Sequence, residues 1–189
     1  VVFDNTGTLN LGNASGDTFT FNGGVTESTT GTVTLASTIN SSNDTISFGA
    51  VTLGANTTID TNATNTIGTL LIGAVTGGNN TLTLSTGDNV ASSNMIASGN
   101  ISGVTTLTLA DIGGTAALSG DVDVTTLTVG NTVANVQLTG NGSSVVNAVS
   151  FANDGTLILG TSGGTQTYNG GLTTTSVGST VTLNGTIAS

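Results

Sequence analysis

The sequence predicts an all-β protein, and within that class a parallel β-helix whose short strands stack in coils of about 20 residues. Three observations lead to this prediction. Polar and apolar residues alternate with a period of two, Gly and Asn cluster between the alternating segments, and aromatic residues make up only 3% of the chain. Such a thin, regularly repeated apolar face suits a stack of coils better than a compact two-layer core.

The alternating segments predict the strands. In each of them a polar residue, usually Thr, alternates with Leu, Val or Phe, which is the pattern of a half-buried strand. Thr also favours the extended backbone. No sustained helical stripe of apolar residues competes with this pattern. The segments are residues 8–11, 18–21, 32–35, 81–84, 106–109, 126–129 and 180–183.

Clusters of Gly, Asn and Ser between these segments predict the turns, because Gly and Asn accept a positive φ at low cost. Asn-Gly also forms type I′ hairpins, so an antiparallel β-sandwich is the alternative fold. Three candidate strands in quick succession, residues 46–48, 50–53 and 57–59, favour instead a three-sided solenoid of about nine coils and about 40 Å. The turn clusters are residues 22–24, 41–44, 77–80, 113–114, 141–142, 162–164 and 169–171.

The charge balance excludes several partners. The chain has ten acidic and no basic side chains, a formal net charge of −10 and a pI near 4.1. Affinity for nucleic acid comes largely from Lys and Arg, so neither nucleic acid nor an anionic membrane surface is expected as a partner. No segment approaches the roughly 20 apolar residues of a membrane helix, and no membrane insertion is expected.

We expect no enzymatic activity. The chain lacks His, Cys, Lys and Arg, and with them the usual general bases, nucleophiles and oxyanion-stabilising cations. The closest pair of carboxylates is Asp121 and Asp123, which on one strand would share a face about 7 Å apart. A carbohydrate cleft around this pair would ordinarily show aromatic platforms, and the chain has one Tyr and no Trp.

Calcium is the metal that the sequence comes closest to accommodating. Asp44, Asp121, Asp123 and Asp154 lie in or near predicted turns, and Ca²⁺ prefers oxygen ligands. Neither the EF-hand pattern nor the repeat of calcium-binding β-rolls is present. Turn formation accounts better for these residues. We therefore expect no cofactor, with Asp121 and Asp123 as the candidates for weak calcium binding.

Four stretches rich in Thr, Asn, Gly and Leu resemble the repetitive passenger regions of autotransporters and filamentous-haemagglutinin-type adhesins. These stretches are residues 49–60, 80–87, 153–160 and 179–188. They are also similar to the repeats of rickettsial surface antigens. The resemblance is one of composition and covers most of the chain. It implies secretion to the cell surface, a right-handed parallel β-helix, and a role in adhesion or coat formation.

The two ends of the predicted solenoid are its expected assembly sites. Isolated solenoids normally cover their terminal strand edges with a helix, charges or Pro, and the sequence predicts none of these here. Residues 1–189 would form one solenoid domain, as a whole subunit or as a segment of a longer fibre. The residues expected to pair with copies of the same protein are Val1, Val2 and Phe3 at one end and Thr186, Ile187 and Ala188 at the other.

A structural subunit of an extracellular or cell-surface filament or coat is therefore the expected function. The alternative is an adhesin stalk or binding module that contacts a host or neighbouring cell, for which residues 88–103, with Met95, are the candidate deviant loop. An ice-binding protein is the third hypothesis, because Thr-x-Thr pairs recur, although their irregular spacing predicts that they scatter over several faces. The pairs are Thr18/Thr20, Thr32/Thr34, Thr81/Thr83, Thr106/Thr108, Thr126/Thr128, Thr165/Thr167 and Thr180/Thr182.

Overall fold

The chain winds into a β-solenoid of nine coils with three faces. The computed structural model describes residues 1–28 and 31–189, and these contain strands, turns and loops but no helix. Every strand pairing between the described residues is parallel. The predicted solenoid is thus confirmed, and the antiparallel sandwich is wrong because each coil stacks in the same direction on the one before it.

Face 1 receives one strand from each coil and forms a nine-stranded sheet. Its strands are β1 (Val2–Phe3), β4 (Val25–Glu27), β7 (Ile46–Phe48), β10 (Leu70–Ile72), β13 (Met95–Ala97), β15 (Ile112–Leu118), β17 (Val133–Leu138), β20 (Leu157–Leu159) and β23 (Val181–Leu183).

Faces 2 and 3 share a second sheet, because two long strands pass from one face to the other without a break. These are β14 (Ile101–Leu109) and β16 (Val122–Val129). The other strands of face 2 are β2 (Leu9–Leu11), β5 (Val33–Leu35), β8 (Val51–Leu53), β11 (Val75–Thr76), β18 (Ser144–Val145), β21 (Thr165–Tyr168) and β24 (Thr186–Ala188). The other strands of face 3 are β3 (Thr18–Phe21), β6 (Thr38–Ser41), β9 (Thr57–Asp60) and β12 (Thr81–Ser85), followed by the separate pair β19 (Val149–Ser150) and β22 (Leu172–Thr173).

The coil length varies while the strand register is kept. On face 1, Ala117 pairs with Gln137, 20 residues further on, whereas Leu71 pairs with Ile96, 25 residues further on. The difference is taken up at the corners: two residues separate β7 from β8, and nine separate β9 from β10. Apart from one irregularity in the β14–β16 pairing and one in the β15–β17 pairing, the strands therefore pair residue for residue although the repeat in the sequence is irregular.

The core is a set of columns of apolar side chains that point into the solenoid. On face 3, Leu82, Leu107 and Leu127 follow one another in consecutive coils, and each is at most 3% exposed. On face 1 the corresponding column includes Ile46, Leu70 and Met95, all fully buried. Because the strand period is two, the residue between two inward positions points to solvent. The alternation of polar and apolar residues in the sequence thus arises from these columns.

A column of glycines forms the corner between faces 1 and 2. Gly49, Gly73, Gly99, Gly120 and Gly140 follow one another there from the third coil to the seventh. A Cβ on Gly73 would lie 2.7 Å from the carbonyl carbon and oxygen of Gly49. The backbones of successive coils therefore meet at this corner at a distance that a side chain would prevent.

Two longer corner loops, residues 61–69 and 86–94, stack on each other between faces 3 and 1. They are closed in the same way: the Thr61 hydroxyl donates to the carbonyl of Gly68 at 2.8 Å, and the Thr86 hydroxyl donates to the carbonyl of Ser93 at 2.9 Å. The amide of Gly68 also donates to the Ser93 hydroxyl at 3.2 Å. Each loop is thus closed by a hydrogen bond from a buried Thr hydroxyl to the backbone carbonyl seven residues later.

Two sequence-based expectations about local structure are wrong. Gly113 and Gly114 do not form a turn but lie inside β15 at a register irregularity. Glycine is required there because a Cβ would meet the backbone of the 86–94 loop, at 2.5 Å from the carbonyl oxygen of Val90 and 2.8 Å from that of Ser93. Residues 88–103 are likewise not one deviant loop, since Met95 is a fully buried core residue of β13.

Candidate functional surfaces

The N-terminal end of the solenoid exposes strand edges and aromatic side chains together. Among the described residues, β1 pairs with β4 and with no other strand, so its outer edge is unpaired. Val1 and Val2 are 60% and 66% exposed. Phe21 stacks on Phe19 with ring centroids 6.4 Å apart and meets the edge of Phe3 at 6.1 Å. These three half-buried rings are the apolar cross-section of the first coil.

The C-terminal end also combines open strand edges with exposed apolar side chains, but it has no aromatic rings. Strand β24, which contains Thr186, Ile187 and Ala188, pairs with β21 only within the described chain, and β23 pairs with β20 only. Leu183 is 55% exposed, although the inward column to which it belongs is buried in earlier coils. No charged side chain follows Asp154 in the sequence. This end is therefore an uncharged apolar cross-section with open strand edges.

The two calcium candidates bind backbone amides of the next coil. Oδ1 of Asp121 accepts the N–H of Gly142 at 2.7 Å, and Oδ1 of Asp123 accepts the N–H of Ser144 at 3.0 Å. Residues 1–28 and 31–189 contain no group of three or more acidic side chains close enough to hold a metal ion together. In this arrangement the two carboxylates connect the sixth coil to the seventh. Asp60 bonds locally, to the amide of Asn62 at 2.7 Å, as expected of a turn former.

Several open grooves mark the surface of the described residues, and two of them lack the exposed aromatic platform that a carbohydrate cleft around paired carboxylates would need. One, of about 490 Å³, runs over face 1 beside Leu71 and Ile96. The other, of about 270 Å³, lies where faces 2 and 3 meet, beside Asp123 and Val146. Phe48 contributes to the first groove but is itself only 3% exposed. The half-buried aromatic rings of the described chain lie instead at the N-terminal end.

The Thr-x-Thr pairs are more ordered than the sequence spacing suggests. The prediction that they scatter is correct for three pairs, which lie on faces 1 and 2. The other four lie on face 3, where the unequal corners bring three of them, Thr81/Thr83, Thr106/Thr108 and Thr126/Thr128, into register. In the fourth pair Thr18 joins one of their columns, whereas Thr20 pairs with Asn40. There Thr83 pairs with Thr108, and Thr108 pairs with Thr128. One outward column of face 3 consists of Thr18, Thr38, Thr58, Thr83, Thr108 and Thr128 in the first six coils.

A buried polar pair lies inside the eighth coil. The Tyr168 hydroxyl donates to Oε1 of Gln166 at 3.1 Å, and Nε2 of Gln166 donates to the carbonyls of Leu138 and Gly140. Burial raises the pKa of Tyr168 above its ordinary value, because the phenolate would lose its hydration. The pair satisfies two carbonyls of the preceding coil and shows no access to solvent for a reaction.

The fold defines a β-solenoid repeat protein. Comparison of the chain with protein-family models, with curated proteins and with solved structures finds no match. The described residues contain no helix of the length and hydropathy needed to span a membrane.

Proposed function

We propose that the protein is a structural unit of a rod or filament, and that its ends are covered by the ends of other copies of the same chain. The observation that supports this most directly is the combination, at both ends, of open parallel strand edges with an exposed apolar cross-section. Open strand edges are templates for pairing with another chain, and contiguous exposed apolar surface marks an interaction site. Stacking one end on the other pairs the edges and buries the apolar surface together.

The two ends are complementary in direction and in pattern. If β1 of one copy adds to β23 of another, Val2 follows Thr182 in the outward column and Phe3 follows Leu183 in the inward column. The parallel direction of all pairings is kept, and the contact is a head-to-tail contact that extends without closing. The aromatic rings of the first coil then lie against the apolar residues of the ninth.

Electrostatics favours this joint over other contacts between copies. The net charge of −10 repels copies side by side. The last 35 residues carry no charged side chain, so the C-terminal end opposes approach less than the faces do.

We place this rod outside the cell, as part of a surface filament or coat, and assign it a structural and not a catalytic role. The support for both statements is the composition, which lacks His, Cys, Lys and Arg. The second candidate, an adhesin stalk or binding module, uses the same rod. It is favoured by the groove beside Leu71 and Ile96, where two apolar side chains follow one another in the outward column of face 1.

The test is the length distribution of the 189-residue chain, measured by analytical ultracentrifugation and by electron microscopy over a range of concentrations. We expect rods whose lengths are multiples of one subunit of about 40 Å. Leu183→Asp places a charge in the joint and should abolish the longer species. Thr52→Asp adds the same charge to the exposed surface of face 2 and should leave them unchanged.

Two results would overturn the proposal. One is a chain that stays monomeric at all concentrations. The other is an equal effect of the two substitutions, which would show that association depends on net charge and not on the ends.

A further inference from the structure

Face 3 carries a regular grid of threonines. In three consecutive coils, Thr-Leu-Thr segments pair residue for residue, without a register shift. Neighbouring strands in a sheet lie about 4.8 Å apart, and outward residues two positions apart on a strand are separated by about 6.6 Å. These two distances are the sides of the grid. Its members are Thr81, Thr106 and Thr126 in one column and Thr83, Thr108 and Thr128 in the next.

The hydroxyl groups of this grid are available. Within the described chain, the side chains of Thr83, Thr108 and Thr128 make no hydrogen bond to protein, and neither do those of Thr81 and Thr106. The buried corner threonines differ, because the Thr61 and Thr86 hydroxyls bond to backbone carbonyls. Outward threonines of face 2, such as Thr52, resemble the grid in having no partner among the described residues, but they do not form two adjacent columns in consecutive coils. In the grid, only Thr126 has a protein partner, because Nδ2 of Asn147 donates to its hydroxyl at 2.8 Å. The free hydroxyls must therefore find their partners in the solvent.

The grid is also rigid and uncharged. A β-branched side chain on a strand has restricted rotamers, so the hydroxyls and methyls repeat with the backbone. Side-chain ladders are among the features that stabilise sheets with little twist. Residues 81–84, 106–109 and 126–129 contain no charged side chain. Asp60, which pairs with Ser85 beside the grid, binds the amide of Asn62 in its own turn.

We propose that the threonine grid of face 3 binds ice. Oxygen atoms on a prism plane of ice also repeat along two perpendicular directions. An array of hydroxyls with restricted rotamers, with methyl groups between them, can hold water along the same two directions with a smaller loss of side-chain entropy than flexible side chains would undergo. The single column that extends through Thr58, Thr38 and Thr18 lengthens the matching surface to six coils. This function is independent of the end-to-end joint.

The test measures ice recrystallisation, thermal hysteresis and partition into a growing ice front. Thr108 lies between Thr83 and Thr128 in the three-coil grid and is half-buried. Thr108→Lys pushes a charge into the ice contact, and we expect at least about ten-fold lower activity, because an unpaired charge cannot be buried cheaply. Thr52→Lys makes the same charge change on face 2 and should keep full activity.

Two further variants, whose side chains are no larger than that of Thr, keep the test valid if Thr108→Lys disturbs the fold. Thr108→Val removes the hydroxyl and Thr108→Ser removes the methyl, and both should lower the activity while far-ultraviolet circular dichroism stays unchanged. An unmodified chain that neither slows recrystallisation nor enters the ice would overturn the proposal. So would equal activity of the Thr108→Lys and Thr52→Lys variants.

Discussion

The substitution Leu107→Ala tests whether the inward columns determine the stability of the solenoid. Leu107 is fully buried between Leu82 and Leu127, in the middle of the rod. The change removes three carbon atoms, which at about 0.8 kcal/mol each amounts to a transfer term of about 2.4 kcal/mol. The neighbouring coils are held by their own pairings and cannot collapse fully into the space. We therefore expect a total loss of about 3 to 5 kcal/mol in the free energy of unfolding.

The same substitution at the end of the rod is the control. Leu183 occupies an inward column too, but it is 55% exposed and encloses no cavity when truncated. Less than half of the transfer term applies, so Leu183→Ala should cost about 1 kcal/mol or less. Urea unfolding followed by circular dichroism measures both variants, at concentrations low enough for the chain to be monomeric. Losses that agree within about 0.5 kcal/mol would refute the reasoning, because stability would then not depend on position in the stack.

Two further predictions follow from single contacts. Gly73→Ala places a Cβ 2.7 Å from the backbone of Gly49 and should cost about 1 to 3 kcal/mol in urea unfolding; Gly16→Ala, which meets no atom within 4 Å, should be close to neutral, and equal costs would contradict the close approach of the coils. Tyr168, the only tyrosine, should stay protonated above its ordinary pKa of about 10. Because its pKa is raised on folding, its contribution to stability is complete below about pH 10 and falls at higher pH. The phenolate absorbance of the folded chain should therefore appear only on unfolding, and an ordinary titration curve of the native protein would contradict the buried position.

The alternation of polar and apolar residues was sufficient to predict the fold class and most strands. Each of the seven alternating segments coincides with a strand, although segments 8–11, 32–35 and 180–183 begin one residue before it. The agreement arises because a half-buried strand imposes a period of two on the sequence. Strands with apolar residues on both sides, such as Leu70–Ile72 and Met95–Ala97, do not show this period. The sequence pattern therefore predicts a loop around Met95, whereas the residue lies in the core.

The register of the coils could not be predicted, since it depends on corner lengths that carry no periodic signal. The alignment of Thr83 with Thr108 and Thr128 follows only once residues 86–94 are known to form a corner loop of their own. One signal was available: a buried Thr precedes its acceptor by seven residues in both corner loops, as Thr61 and Thr86 show. The terminal strands, in contrast, could be predicted from the sequence, because the strand pattern continues into Val2–Phe3 and Thr186–Ala188.

The corner loop of residues 61–69 is a place where the chain can become longer without a change in the pairing of the strands. Its tip is exposed at Thr64, Asn65 and Thr66, and it is anchored by hydrogen bonds from the amides of Thr64 and Asn65 to Oδ1 of Asn43. Extra residues inserted after Thr66 would extend outward without shifting the strands on either side. In a head-to-tail rod, an epitope or enzyme grafted there would be displayed in a single file, with one copy for each subunit length.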